Sequence, residues 1–107
     1  MADQMPHSGA IVDGPVSHYL ATLATTLGDY EAADGYFARA TMFNRRAHAK
    51  FYEARTNFWW AAMLMERDAA GDKDRARTLM TAAHAASRDH GYRDIERRSA
   101  ESLVNLR

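Results

Sequence analysis

The sequence contains no cysteine, only two prolines, and no excess of charge of either sign. Without cysteine the chain cannot form disulfides, zinc–thiolate sites or a cysteine nucleophile. It has no run of about 18 apolar residues, so we expect no membrane-spanning helix. The first residues also lack the basic start and the apolar run of a secretory signal. These absences favour a cytoplasmic protein.

The charged residues balance, with 14 Lys and Arg against 14 Asp and Glu scattered along the chain. Phosphate binding needs clustered Lys and Arg, so this balance argues against nucleic acid or an anionic membrane as a partner. The densest basic group is Arg93, Arg97 and Arg98, and the acids Asp94 and Glu96 lie among them. We interpret this group as a solvated, salt-bridged helix face.

The length of 107 residues is that of one domain, and Leu and Ala outnumber the β-branched residues, which favours helices. We therefore predict an all-α fold of about five helices. A flexible leader is expected over residues 1–13, followed by a single helical domain over residues 14–107.

Turn residues divide this domain. Asp13, Gly14 and Pro15 predict the start of the first helix, because Asp caps free amides and Pro fits the first turn. Gly28 predicts its end, because glycine readily adopts the left-handed conformation that ends many helices. Between them, five apolar residues recur at helical spacing: Val16, Tyr19, Leu20, Leu23 and Leu27.

Asp29 is the predicted cap of a second helix, which ends near residues 47 and 48. A third helix is predicted over residues 49–66, although no Gly or Pro separates it from the second, so that one long rod is the alternative. A fourth helix, capped by Asp72 or Asp74, ends at Gly91, and a fifth covers residues 93–106. Short connections make neighbouring helices antiparallel, so hairpins are expected over about residues 15–47 and 49–90, with a closing helix after them.

Two segments repeat at an offset of 43 residues, GDYEAADGYFARA at 28–40 and GDKDRARTLMTAA at 71–83. A glycine, an aspartate and two alanines coincide, and Phe37 aligns with Met80. In a helical hairpin glycine makes the turn, aspartate caps the helix, and alanine lets the paired helix approach closely. The coincidence therefore indicates a repeated hairpin.

The first copy resembles the tetratricopeptide repeat, whose pattern it matches at Leu20, Ala21, Gly28, Tyr30, Ala33, Phe37 and Ala40. The second copy departs from that pattern, with Met63 and Leu64 in its leading helix and a longer turn. From about Pro15 onward the chain is similar to the degenerate repeats of bacterial signal-transducing ATPase regulators of the LuxR and MalT type, and of ATPase-linked adenylate or guanylate cyclases. This resemblance implies a short right-handed solenoid that serves as a sensor and interaction arm.

The catalytic parts of such regulators are missing from this sequence. It has no GxxxxGK[ST] phosphate loop, no cyclase domain and no helix-turn-helix. If the relationship holds, the chain is the arm alone, whether as a short gene product, a remnant or a fragment.

The polar residues give no pattern of a metal or catalytic site. None of the five histidines pairs with another at the spacing of three or four that places two imidazoles on one helix face. Acidic pairs such as Asp72 and Asp74 lie at helix ends, where capping and the helix dipole account for them. No serine lies in a nucleophile elbow. We expect no enzyme activity, no cofactor and no metal.

The third helix carries the stretch NFWWAAMLM, which holds both tryptophans. Polar and aromatic residues alternate ahead of it, as on the concave binding surfaces of helical repeats. The candidate partner or ligand contacts are Tyr52, Arg55, Trp59, Trp60 and Met63. The alternative for Arg55 is a salt bridge with an acid one turn away. On a helix Trp59 and Trp60 point about 100° apart, so one face cannot hold both.

Two functions are favoured by these patterns, and a third, weaker option is an accessory subunit of an enzyme. The first is a non-catalytic interaction module that binds a protein partner or associates with itself, for example as a homodimer. A repeat array usually needs about three units to bury a continuous core, so an array this short needs cover for its ends. The second is a sensor domain that binds a small-molecule effector in an aromatic pocket on the third helix.

Overall fold

A computed structural model describes the backbone of residues 6–106 and the side chains of residues 15–106. Within these residues the chain forms five α-helices and no strand. The helices are α1 (Pro6–Thr26), α2 (Tyr30–Arg46), α3 (Lys50–Arg67), α4 (Asp72–His90) and α5 (Arg93–Asn105). The predicted all-α fold is confirmed, and α2 and α3 are separate helices, not one rod.

Helix α1 begins at Pro6, well before the predicted start at residues 13–15. The prediction used the rule that proline is tolerated at the first residue of a helix, because the amide there has no intrahelical partner. On the sequence alone, Pro6 and Pro15 fit this rule equally well. Pro15 instead lies inside α1, where it removes one amide donor from the helix. Of the predicted flexible leader, residues 1–5 lie outside the described part of the chain, and from Pro6 its backbone is helical.

The predicted turn residues stand where the helices end. Gly28 and Gly91 adopt φ of 80° and 78°, a region in which a Cβ atom is unfavourable. Between α2 and α3 the turn is made by His48, a non-glycine residue with φ of 54°. Asp29 caps α2, and its Oδ1 accepts a hydrogen bond of 3.2 Å from the amide of Ala32.

The alanines and the bulky residue of the two repeat copies occupy equivalent places on the packed faces of α2 and α4, whereas Asp29 is the N-cap of α2 and Asp72 is the first residue of α4. Gly71 has φ of 83°, close to the value at Gly28. Three aligned pairs of α2 and α4 are buried: Ala33 with Ala76, Phe37 with Met80, and Ala40 with Ala83. Small residues flanking one bulky residue on the packed face therefore recur in both helices, as the repeat predicted.

The start of α4 departs from the prediction that Asp72 or Asp74 caps it. The N-cap residue is Gly71, and no side chain caps the helix. Asp72 is the first residue of α4, and its carboxylate binds residues at the end of α3 and in the connecting turn. Nε and Nη2 of Arg67 donate to its two oxygens at 2.7 and 2.8 Å, and the amide of Ala69 donates at 3.0 Å. Asp74 instead pairs with Arg77 at 2.9 Å on the surface.

The two hydrogen bonds between Arg67 and Asp72 connect the end of α3 to the start of α4 across the turn. The hydrogen bonds from Arg67 lower the pKa of Asp72 from 3.8 to about 2, with help from the Ala69 amide and against the opposing effect of burial. Asp72 is 2% exposed, so its charge is held by these partners and hardly at all by water.

The chain divides between His48 and Ala49 into two compact units. In the first unit α1 packs against α2, with a core of Ala21, Ala24, Ala33, Phe37 and Ala40. In the second unit α4 packs against both α3 and α5. Its core is formed by Ala54, Phe58, Ala61, Met63, Leu64, Ala76, Met80, Ala83, Ile95 and Leu106.

Candidate interaction surfaces

Helix α1 and the residue that follows it carry four bulky apolar side chains on the exposed side, whereas Leu20 is half-buried. Val16, Tyr19, Leu23 and Leu27 are 45%, 63%, 42% and 75% exposed. Their spacing of three, four and four residues places them within about 80° of arc on one helix face. We call these four residues the α1 stripe.

The opposite face of α1 is the packed one, and it consists of small or polar residues. The buried residues of this face are Ser17, His18, Ala21 and Ala24. The rings of His18 and Phe37 pack in a T-shaped arrangement, with their centres 6.0 Å apart. The predicted helical spacing in α1 is therefore correct, but four of the five bulky residues that carry it are exposed, and the fifth, Leu20, is half-buried. Alanines at the contact let the two backbones approach, and Phe37 fills the space between them.

The exposed side of α1 offers few groups to water. Residues 14–28 contain no charged side chain. Three threonines of this segment use their hydroxyls within the helix. Thr22 donates to the Tyr19 carbonyl at 2.8 Å, Thr25 to the Ala21 carbonyl at 2.8 Å, and Thr26 to the Thr22 carbonyl at 3.1 Å. A solvated helix face normally carries charges, so this face has the composition of an interface.

Helix α5 has the opposite surface character. Arg97 contacts Asp94 at 2.8 Å and Glu101 at 3.6 Å, and Arg98 contacts Asp94 at 3.6 Å. Two of the three arginines that the sequence placed on a salt-bridged face, Arg97 and Arg98, are therefore paired with acids along their own helix. Such exposed pairs add little stability, but they keep a helix face hydrated.

Three of the five predicted contact residues share one face of α3. Tyr52, Arg55 and Trp59 lie within about 60° of arc, and Tyr52 and Trp59 are exposed. The Arg55 guanidinium lies 4.9 Å from the centre of the Tyr52 ring, which places it against an aromatic ring. Arg98 of α5 lies 5.2 Å from the Trp59 ring centre. Aromatic and arginine side chains in alternation form a second apolar surface with a cationic edge.

The other two predicted contacts lie elsewhere. Met63 is buried in the core of the second unit, so no partner reaches it on the folded surface. Trp60 is half-buried, and the Arg75 guanidinium lies 5.6 Å from its ring centre. It borders a shallow pocket of about 240 Å³ that is completed by Arg75, Thr78 and Leu79. The five residues therefore do not converge on one pocket.

A larger depression of about 590 Å³ lies between α4 and α5, and it is lined mainly by charged residues, including Arg93, Glu96 and Arg97. Ligand sites are usually lined by apolar and aromatic groups with a few polar ones, which this depression does not provide. Among the described residues, no group of three or more His, Cys, Asp or Glu is placed to hold a metal ion. The helices of that same part of the chain are all too short or too polar to cross a membrane.

The sequence did not predict the α1 stripe as a surface, because helical spacing does not show which side of a helix packs. The available signal was the absence of charge over residues 14–28 combined with four bulky apolar residues at helical spacing. Comparison of the chain with protein-family models, with curated proteins and with solved structures gives no match.

Proposed function

We propose that this chain is a non-catalytic, cytoplasmic protein–protein interaction module whose docking surface is the α1 stripe. The observation that supports the proposal is the exposure of four bulky apolar residues on one uncharged helix face. Contiguous apolar surface of this kind marks interaction sites in soluble proteins. The module corresponds in this proposal to the tetratricopeptide-like arm of a bacterial signal-transducing regulator, as the repeat pattern implies.

Site-specific photo-crosslinking in native cells tests the proposal. A photoreactive phenylalanine analogue at Leu27 is expected to capture protein, whether another copy or a different chain, whereas the same analogue at Met42 is not. Met42 is a matched control because it is an exposed apolar residue on α2, outside the stripe. A second substitution, Leu23→Arg, should abolish capture from Leu27 because it places a charge in the contact. Equal capture from both positions would contradict the proposal.

The second candidate function is an effector-binding sensor, and the α3 surface favours it. Tyr52, Arg55 and Trp59 lie together there, and Arg98 extends the surface with a second guanidinium. An aromatic, anionic small molecule fits such a surface by stacking and charge. Binding of such a ligand should shift the tryptophan emission while the molar mass of the protein stays constant. Arg98→Ala should reduce this shift, and Arg93→Ala should leave it unchanged.

A further inference from the structure

We infer that the occupant of the α1 stripe is a second copy of this chain, with the two α1 helices paired antiparallel across a two-fold axis. This inference rests on the proposed function and names its partner. The composition of the α1 stripe restricts the kind of surface that can cover it. A partner that brought charged side chains against Leu23 and Leu27 would have to strip them of water without offering them a counter-charge. The covering surface must itself be apolar and uncharged.

The exposed faces of the other helices do not meet that demand, and this includes the aromatic surface of α3, because guanidinium groups of Arg55 and Arg98 lie over its rings. Each carries charges at its exposed positions: Glu31, Arg39 and Arg45 on α2, Lys50 and Glu66 on α3, Lys73 and Asp74 on α4, and Arg93 and Arg97 on α5. Among the described helices, α1 alone has an exposed face with no charge from residue 15 to its end. The surface on this chain that suits the stripe is another α1 stripe.

The spacing of the stripe is close to symmetric about its middle. When two such helices lie antiparallel, Val16 of one copy faces Leu27 of the other, and Tyr19 faces Leu23. Each contact then occurs twice, as a two-fold interface requires. Antiparallel pairing also sets the helix dipoles in opposition, which is the favourable arrangement for neighbouring helices.

The size of the stripe sets the strength of the pairing. From Val16 to Leu27 the stripe is about 16 Å long at a rise of 1.5 Å per residue. A stable dimer buries roughly 800 Å² on each partner, which is more than one short helix face provides. We therefore expect a reversible dimer, with a dissociation constant on the order of micromolar or higher.

Sedimentation of the full chain between about 1 μM and about 1 mM tests this inference. The wild-type chain and Met42→Glu should both shift from monomer to dimer over this range. Val16→Lys or Leu27→Glu alone should raise the dissociation constant by about tenfold or more, because each places a charge against an apolar residue. Circular dichroism should report unchanged helicity, since both positions are exposed.

A mixture of the two charged variants distinguishes the pairing mode. In the antiparallel dimer Lys at one position 16 meets Glu at the other chain's position 27, so the mixture should associate more strongly than either variant alone. In a parallel dimer these positions do not meet, and no such gain would appear.

A wild-type chain that stays monomeric throughout, or a mixture with no gain, overturns the inference. If the chain is monomeric while Leu27 captures a different protein in cells, the inference falls and the proposed function stands. If neither association nor capture occurs, both fall.

Discussion

Replacing Asp72 with Asn isolates the contribution of the buried carboxylate that closes the α3–α4 turn. Asparagine has nearly the same shape, and its oxygen can still accept a hydrogen bond from the Ala69 amide. It cannot hold the Arg67 guanidinium through two charged oxygens, as Asp72 does at 2.7 and 2.8 Å. The substitution therefore removes the charge-assisted contact and leaves the packing of the turn in place.

The contribution of this contact to the free energy of unfolding follows from the pKa of Asp72. A fall from 3.8 to about 2 corresponds to at most about 2.5 kcal/mol, because one pKa unit is about 1.4 kcal/mol. Arg67 is 24% exposed, and water screens part of that interaction. We expect Asp72→Asn to lower the free energy of unfolding at pH 7 by about 1–2 kcal/mol.

The stabilisation of the fold by the Asp72 carboxylate decreases as the pH falls. Because the folded-state pKa of Asp72 lies below its unfolded value, the carboxylate stabilises the fold fully above about pH 5. This contribution is lost as pH falls through 3.8 toward about 2. The difference in unfolding free energy between wild type and Asp72→Asn should therefore shrink over that interval and approach zero only below about pH 2.

Urea unfolding followed by tryptophan emission at several pH values measures this difference. Both tryptophans lie in the same unit as Asp72, so their emission reports on the unit concerned. Asp74→Asn is the matched control, because Asp74 also pairs with an arginine, but at the surface. Its effect should stay within about 0.5 kcal/mol. Equal effects of the two substitutions, or a difference that persists unchanged at pH 2, would refute the reasoning.

Two further substitutions test the packing of the helices. Phe37→Ala should lower the free energy of unfolding by about 3–5 kcal/mol, because Phe37 is buried. Leu27→Ala should change the free energy of unfolding of the monomer by no more than about 0.5 kcal/mol. Urea titrations followed by circular dichroism measure both effects. If Leu27→Ala were more destabilising than Phe37→Ala, the bulky face of α1 would have to pack in the core. Gly91→Ala should lower the melting temperature and cost about 1 kcal/mol or more, because the helix ends there with φ of 78°; no change in melting temperature would contradict that turn geometry.

Local rules were enough to predict most helix boundaries from the sequence. Gly28, Asp29 and Gly91 act within a few residues of themselves, either by adopting a left-handed backbone or by capping a free amide. Such effects do not depend on the rest of the fold. The same holds for the aligned alanines of the repeat, whose small size suits a packed face in either copy.

The errors arose where two residues satisfy one local rule. Pro6 and Pro15 both fit a first helical turn, and the rule cannot choose between them. An acid at the start of α4 looks like a cap, yet Asp72 binds Arg67, five residues earlier, because the turn between them brings the two side chains together. Choosing correctly requires the path of the backbone through the turn, which no single residue specifies.

The orientation of α1 could not be predicted for a similar reason, and it bears directly on function. Periodicity shows that bulky residues share one side of the helix, but it does not show which side packs. Here alanines face Phe37, and the bulky residues remain in water. Each exposed Leu forgoes roughly 1–2 kcal/mol of burial free energy that the same residue would contribute in a core. That contribution becomes available only when the stripe is covered. Since a ligand that binds only the folded state stabilises it, the stability of the α1–α2 unit should rise with association, and α1 should be the helix whose protection from hydrogen exchange depends most strongly on protein concentration.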